Sequence, residues 1–225
     1  MRKTYALFDF DGTLIRGDSI LLFLRYAWQK KLCSNLGVLR FIAAGGLFAV
    51  KLLSPKRAKE AGLRFLKGRE RAALAAAAED FCQSVLVPRL YTQGVEAVRR
   101  HLAAGDEVLL VSASPAFYLE PLKRTLGFSE VLGTQFAADK DGRLTGEIVG
   151  LNNRGAQKTL RLQEYFKESG AELDYETSSA YGDSAHDLPM LRLCKHAYAV
   201  NPKKKMRHKL KLMDGVTVVR WKETP

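Results

Sequence analysis

Tyr5-Ala6-Leu7-Phe8-Asp9-Phe10-Asp11-Gly12-Thr13 is an apolar run that ends in two carboxylates placed two residues apart. Side chains alternate along a strand, so Asp9 and Asp11 are expected on one side, facing one ligand. A strand that stays apolar to its end and then presents acids reads as a buried central strand of an α/β sheet. Ligands of such sheets gather beyond the carboxyl ends of the strands. Neighbouring carboxylates repel each other and would repel an anion further, so the pair makes chemical sense with a divalent cation between them. Oxygen-only ligands point to Mg²⁺. Taken alone, the stretch reads equally well as a polar strand-to-loop turn, with Gly12 supplying the backbone angles.

Three later segments supply partners. Glu107-Val108-Leu109-Leu110-Val111-Ser112-Ala113-Ser114-Pro115 is an apolar strand ending in hydroxyls, and a serine followed by free backbone N–H groups can hold a phosphate oxygen. Lys158 follows Gly155-Ala156-Gln157 at the start of a helical pattern (Leu160, Leu162, Tyr165, Phe166) and offers a compact charge to an anion. Ser179-Ala180-Tyr181-Gly182-Asp183-Ser184-Ala185-His186-Asp187 is a second strand ending in acids. Asp183 can complete the metal site and Asp187 can orient Lys158. Each has a plainer reading: Ser112 as a strand-end cap, Lys158 as one surface lysine among many, Asp187 as an N-cap ahead of Pro189. Their order, with each acid or hydroxyl motif at a strand end, is harder to ascribe to chance.

On these residues the chain resembles the haloacid dehalogenase (HAD) superfamily of phosphohydrolases. Its four motifs match Asp9-Phe10-Asp11-Gly12-Thr13, Ser112, Lys158 and Gly182-Asp183-Ser184-Ala185-His186-Asp187. Val111-Ser112-Ala113-Ser114-Pro115, Gly133-Thr134 and Val200-Asn201-Pro202 narrow the resemblance to subfamily IB, which contains phosphoserine phosphatase. The resemblance implies an α/β fold, a HAD-like Rossmannoid doubly wound parallel sheet with an all-helical cap of C1 type inserted after the first motif. It implies Mg²⁺-dependent hydrolysis of a phosphomonoester on a small phosphorylated metabolite through a covalent aspartyl-phosphate. Asp9 would be the nucleophile and Asp11 the acid and base. Mg²⁺ would be held by Asp9, the Asp11 backbone carbonyl and Asp183. Thr13, Ser112, the Ala113 amide and Lys158 would hold the phosphoryl oxygens, with Asp187 behind Lys158. In phosphoserine phosphatases a cap glutamate reads the substrate amine. The nearest residue here is Asp18, one methylene shorter, which reads equally as the N-cap of a helix beginning Ser19-Ile20-Leu21-Leu22. No residue is matched to the cap arginine that reads the substrate carboxylate, which counts against serine phosphate.

Strand signals recur at Thr4–Phe10, Glu107–Ser112, Val131–Phe136, Ser178–Gly182, Ala197–Val200 and Val216–Arg220, most of them separated by helical patterns such as Gly94–Ala104 and Lys158–Lys167. This alternation predicts a parallel doubly wound sheet. Residues 16–88 carry helical patterns and no convincing strand, so they are read as the cap, with 1–15 and 89–225 as the catalytic core. Asp139 to Glu147 lacks the ligand spacing of a calcium loop and is read as a β-hairpin turning at Asp141-Gly142.

Within the cap, Arg40 and Lys51 bracket the apolar run Phe41–Val50, too short to span a bilayer. A core helix is the favoured reading. The sharper one is an interfacial helix meeting anionic headgroups through Lys30, Lys31, Arg40, Lys51, Lys56, Arg57 and Lys59. Two alternative functions stay open: a phosphatase of a phospholipid headgroup such as phosphatidylglycerophosphate, working at an anionic membrane surface, and a phosphotransferase or phosphomutase.

With 225 residues, 47% hydrophobic and 27% charged, the chain can bury a substantial core. Cys33, Cys82 and Cys194 are odd in number and lack metal-ligand spacing, which suits buried thiols of a cytoplasmic protein, peripheral at a membrane on the sharper reading. Residues 1–15 read as the first strand and its loop rather than a leader. A net charge of +12 favours anionic partners. The run Lys203-Lys204-Lys205-Met206-Arg207-His208-Lys209-Leu210-Lys211 has no interleaved aromatics to stack bases, so it is read as a solvated helix and no nucleic acid is expected.

Overall fold

Tyr5–Phe8 forms strand β1, and all of it is buried, because it lies inside a six-stranded sheet. The structure is a computed structural model that describes residues 2–211 and 214–222. After β1 come helices α1 (Ser19–Gln29), α2 (Asn35–Ala49), α3 (Pro55–Gly62), α4 (Arg71–Phe81) and α5 (Thr92–Ala103). Strand β2 (Glu107–Pro115) leads through α6 (Ala116–Leu119) and α7 (Pro121–Leu126) to β3 (Glu130–Thr134) and the hairpin β4 (Phe136–Ala138) and β5 (Leu144–Ile148). Then follow α8 (Ala156–Ser169), β6 (Ser179–Gly182), α9 (Leu188–Leu191), β7 (His196–Val200), α10 (Lys204–Leu210) and β8 (Val216–Val219). The order across the sheet is β8-β7-β6-β1-β2-β3, with every pairing parallel.

Alternate residues of the central strands feed two separate cores, the outcome expected of a period-two pattern buried on both faces. Ala6, Phe8, Val108 and Leu110 join one core, while Tyr5, Leu7, Leu109 and Val111 join the other with Leu162 of α8 and Leu188 of α9. The first core continues into the helical block through Phe23, whose ring lies 5.2 Å from Phe81 and 5.1 Å from Tyr118. Cys33, Cys82 and Cys194 are buried free thiols.

Two segments depart from the sequence expectation. The strand read at Val131–Phe136 breaks after Thr134, and Phe136 opens a hairpin that leaves the sheet. That hairpin joins the helical block: the Gly68 amide donates to the Leu144 carbonyl at 2.7 Å, and the Leu144 amide to the Arg69 carbonyl at 2.9 Å. The second departure is α2, expected as a core helix, in which Ala44 alone is buried among its residues. A helix apolar around its whole circumference can pack only the side it turns to its neighbour. Here Phe41 lies against Gly62 of α3, so closely that a Cβ there would meet the ring at 3.0 Å. Among the described residues, no helix is long and apolar enough to cross a membrane.

Candidate active site

β1 stops at Phe8, and the loop that follows wraps onto one carbonyl: the amides of Thr13, Leu14 and Ile15 all donate to the Phe10 carbonyl, at 3.2, 2.9 and 3.2 Å. Gly12 makes this possible at φ +84°, a region that disfavours side chains. A Cβ there would also lie 2.2 Å from Asp183 Oδ2. The tight loop corrects the expectation that Asp9 and Asp11 share one strand face with a cation between their carboxylates. The two side chains have separate partners.

Asp9 is buried; its Oδ1 accepts from Lys158 Nζ at 2.5 Å and its Oδ2 from Thr13 Oγ1 at 2.8 Å. Lys158, in the first turn of α8, also donates to Asp187 Oδ1 at 2.6 Å. Asp187 Oδ2 accepts from the Ser184 amide at 3.0 Å and hydroxyl at 2.7 Å. Asp187 therefore does orient Lys158. It begins α9 by position, but its side chain caps no amide of that helix. Oxygens of Asp9, Asp183 and Asp187 lie within 4.8 Å of one another. Three buried carboxylates and no softer ligand suit a hard divalent cation such as Mg²⁺. The carboxylate of Asp187, expected only behind Lys158, thus joins this group in place of that of Asp11. Asp183 also pairs with Lys203 Nζ at 2.5 Å.

Asp11 is held by the start of α1 and by β2. Its Oδ1 accepts from the Ser19 amide at 2.6 Å and its Oδ2 from Ser114 Oγ at 2.5 Å. Ser19 Oγ donates to Ser114 Oγ at 2.9 Å and lies 3.0 Å from the Tyr118 hydroxyl. Ser114, not singled out in the sequence, is therefore the direct partner of Asp11. Ser112 stands behind it, its Oγ accepting from the Ser114 amide at 3.0 Å. Asp18 caps α1, accepting from the Ile20 and Leu21 amides at 3.0 and 3.4 Å.

These environments set the proton affinities. Burial, then repulsion from Asp187, pushes Asp9 up to about 7 against the pull of Lys158. Burial and then the Asp18 charge raise Asp11, while hydrogen bonds from Ser114 and Ser19 oppose the rise. Burial raises Asp183 to about 6, with Lys203 acting against it. Burial works to raise Asp187 too, but Lys158 and Ser184 outweigh it and hold that carboxyl below the usual range.

A cavity of about 750 Å³ unites most of the expected residues: Asp9, Asp11, Asp18, Ala113, Lys158, Asp183 and Asp187 line it. Thr13 and Ser112 are buried outside its lining and act on Asp9 and Ser114. The lining also holds His186 of the fourth motif, Lys203 of the basic run, and Lys59, Asn152 and Arg154, which had no place in the site on sequence alone. Lys59 Nζ of α3 donates to the Ala113 carbonyl and, at 2.6 Å, to Asn152 Oδ1. Arg154 Nη2 lies 2.7 Å from His186 Nε2, and its guanidinium stands 5.8 Å from the Phe48 ring centre. The Asn152-Asn153 pair just before the Gly155 turn was the available signal; Asn153 Nδ2 ties the Ser112 and Leu132 carbonyls at 3.1 and 2.6 Å. The basic run begins on the cavity rim with Lys203, Lys204 and Lys205 rather than in bulk solvent alone.

The model of haloacid dehalogenase-like hydrolases matches residues 6–192. A protein of Neisseria meningitidis named histidinol-phosphatase is 32% identical over 208 residues, covering 89% of this chain and 91% of its own. A Mycobacterium tuberculosis protein named phosphoserine phosphatase SerB1 is 31% identical over 90% of this chain, and the chain spans 66% of that relative's length. A crystal structure of a Bordetella pertussis protein of unknown function superposes with a TM-score of 0.87 at 28% identity, over 97% of this chain and 99% of that one. A substrate-bound phosphoserine phosphatase shares the fold at a TM-score of 0.65 and 20% identity, over 96% and 93% of the two chains. The chain belongs to the haloacid dehalogenase-like hydrolase family.

Proposed function

We propose that this hydrolase cleaves a phosphomonoester through a phosphoaspartate on Asp9, with Mg²⁺ bound. The observation that carries the reading is the division of labour between two carboxylates in one cavity. Asp9 is aimed by Lys158 and Thr13 beside two further acids. Asp11 stands apart, tilted toward its protonated form by burial and Asp18. Asp9 Oδ attacks phosphorus and the P–O bond to the leaving alcohol breaks. Asp11 gives that oxygen a proton, then takes one from the water that attacks the phosphoaspartate, releasing inorganic phosphate and restoring Asp9. Asp9, Asp183 and Asp187, with the Asp11 carbonyl that the family resemblance adds, would hold Mg²⁺, which supplies charge neutralisation between Asp9 and an incoming dianion. Lys158 and the Ala113 amide hold phosphoryl oxygens, while Thr13 and Ser112 keep Asp9 and Ser114 in place.

Residues 16–88 act as a cap over a core of 1–15 and 89–225, opening for substrate and closing to exclude water. The Lys59 bridge to Ala113 and Asn152 supports a closed arrangement. The substrate is a small phosphorylated metabolite, and Asp18 at the cavity wall is the candidate reader of a cationic group on it. A second reading, a phosphate carried on a lipid headgroup, is favoured by the open apolar face of α2 beside the cavity. Transfer between sugar positions, as in a mutase, leaves almost no inorganic phosphate, so its stoichiometric release separates hydrolysis from phosphotransfer. The deciding variant is Asp9→Asn: turnover should vanish, along with any acid-stable, hydroxylamine-sensitive phosphoenzyme. Wild-type turnover in that variant would remove Asp9 from its role.

A further inference from the structure

Helix α2 presents two apolar faces. Phe41, Gly45 and Phe48 look into the catalytic cavity. Leu36, Leu39, Ala43, Leu47 and Val50 recur at three- and four-residue spacing on the other side, and all are exposed. Leu39 is 62% exposed, Val50 65%, and Leu52, just past the helix, 72%. A continuous open stripe of this kind marks a contact surface.

Charge identifies what the surface meets. From Ser19 to Lys59 the chain carries Arg25, Lys30, Lys31, Arg40, Lys51, Lys56, Arg57 and Lys59, without one aspartate or glutamate. Lys59 turns inward to the cavity and Lys30 pairs with Asp80 at 2.8 Å. Lys31, Arg40, Lys51 and Arg57 are exposed, before, along and beyond α2. Long cationic side chains bordering an apolar stripe can bury their stems in acyl chains while their heads reach phosphates. A second copy of the same face would set these cations against one another.

We infer that α2 seats on an anionic lipid bilayer, its outer stripe at the headgroup–acyl boundary and its flanking lysines and arginines on lipid phosphates. The same helix walls the cavity with Phe41 and Phe48, joined there by Ile20 and Leu21, so a seated enzyme offers its acids to a phosphomonoester borne on a lipid. Attachment is independent of the phosphatase reading; only the substrate class rests on it.

The test is co-sedimentation of the full chain with phosphatidylcholine vesicles, with and without phosphatidylglycerol, at low and high salt. The wild type should bind the anionic vesicles, lose most of that binding in high salt, and bind neutral ones weakly. Leu39→Gln/Leu47→Gln should cut anionic-vesicle binding by about tenfold or more, because each leucine forfeits its transfer from water. Hydrolysis of soluble p-nitrophenyl phosphate should stay unchanged, since neither residue lines the cavity. Should that variant misfold, Arg40→Glu/Lys51→Glu keeps the apolar stripe and should abolish the preference for anionic vesicles. No wild-type binding at low salt, or unaltered binding by both variants, overturns the inference. A dimer that the leucine variant dissociates, without vesicle binding, would instead assign the stripe to a second copy. Vesicle binding without any ester hydrolysis would leave the docking surface standing and remove the phosphatase reading.

Discussion

Replacing Lys59 by methionine exchanges a largely enclosed ammonium for an apolar chain of similar reach. Burial pushes the Lys59 ammonium down to about 8 from its ordinary value of 10.5, although Asp11 and Asp18 pull the other way. Below pH 8 the lysine is charged in both the folded and unfolded chain, so folding carries the whole cost of enclosing it. As pH climbs from 8 toward 10.5 the folded lysine sheds its proton first, and the cost fades. Wild-type stability therefore gains on the variant as pH rises. A separation of about 2.5 pH units corresponds to about 3 kcal/mol, and solvent at the cavity mouth reduces this to about 2 kcal/mol between pH 7 and pH 10. The variant also strips a donor from the Ala113 carbonyl and Asn152 Oδ1, leaving the Thr134 hydroxyl, 2.6 and 3.0 Å away, to serve one of them. That loss, of about 1–3 kcal/mol, is the same at both pH values and cancels in the comparison. Urea unfolding of both proteins near pH 7 and near pH 10 measures the difference of differences. A gap between wild type and variant that is equal at the two pH values would refute the enclosed charge.

Asp11→Asn keeps the hydrogen bond from Ser114 but cannot shuttle a proton, so turnover of an ester with a poor leaving group should fall by about a hundredfold or more; an unchanged rate would sink the acid–base role. Chelation with EDTA should silence the enzyme and Mg²⁺ should restore it, whereas Ca²⁺, which takes more ligands at longer distances, should bind without supporting turnover; full activity in Ca²⁺ would contradict the three-carboxylate site. Gly182→Ala would place a Cβ 2.5 Å from Cβ of Asp187, displacing that carboxylate from Lys158. Thermal unfolding should show a loss of about 1–3 kcal/mol, together with a large fall in activity; a variant as stable and as active as wild type would show that the close approach is unimportant.

The sheet and its order of motifs were legible because both are local signals. Continuous apolar runs such as Val108–Val111 and Ala197–Val200 need no partner to announce a buried parallel strand. Such a strand ends where its acids or hydroxyls begin, which brought Asp9, Ser112 and Asp183 to one edge. Side-chain direction was not legible. Alternation placed Asp9 and Asp11 together, but it lapses once β1 ends at Phe8 and the loop closes on the Phe10 carbonyl. Only the folded chain brings Ser114 to Asp11 and Asp187 to Asp9 across long separations in sequence, and only the turn before α1 aims the nearby Ser19 amide at Asp11. Lys59, Asn152 and Arg154 stand in segments whose composition resembles any surface, and only the docking of α3 and the 152–155 turn over β2 carries them to the cavity. The exposure of α2 was hidden for the converse reason: hydropathy reports how much apolar surface a helix owns, whereas its neighbours decide how much of it is covered.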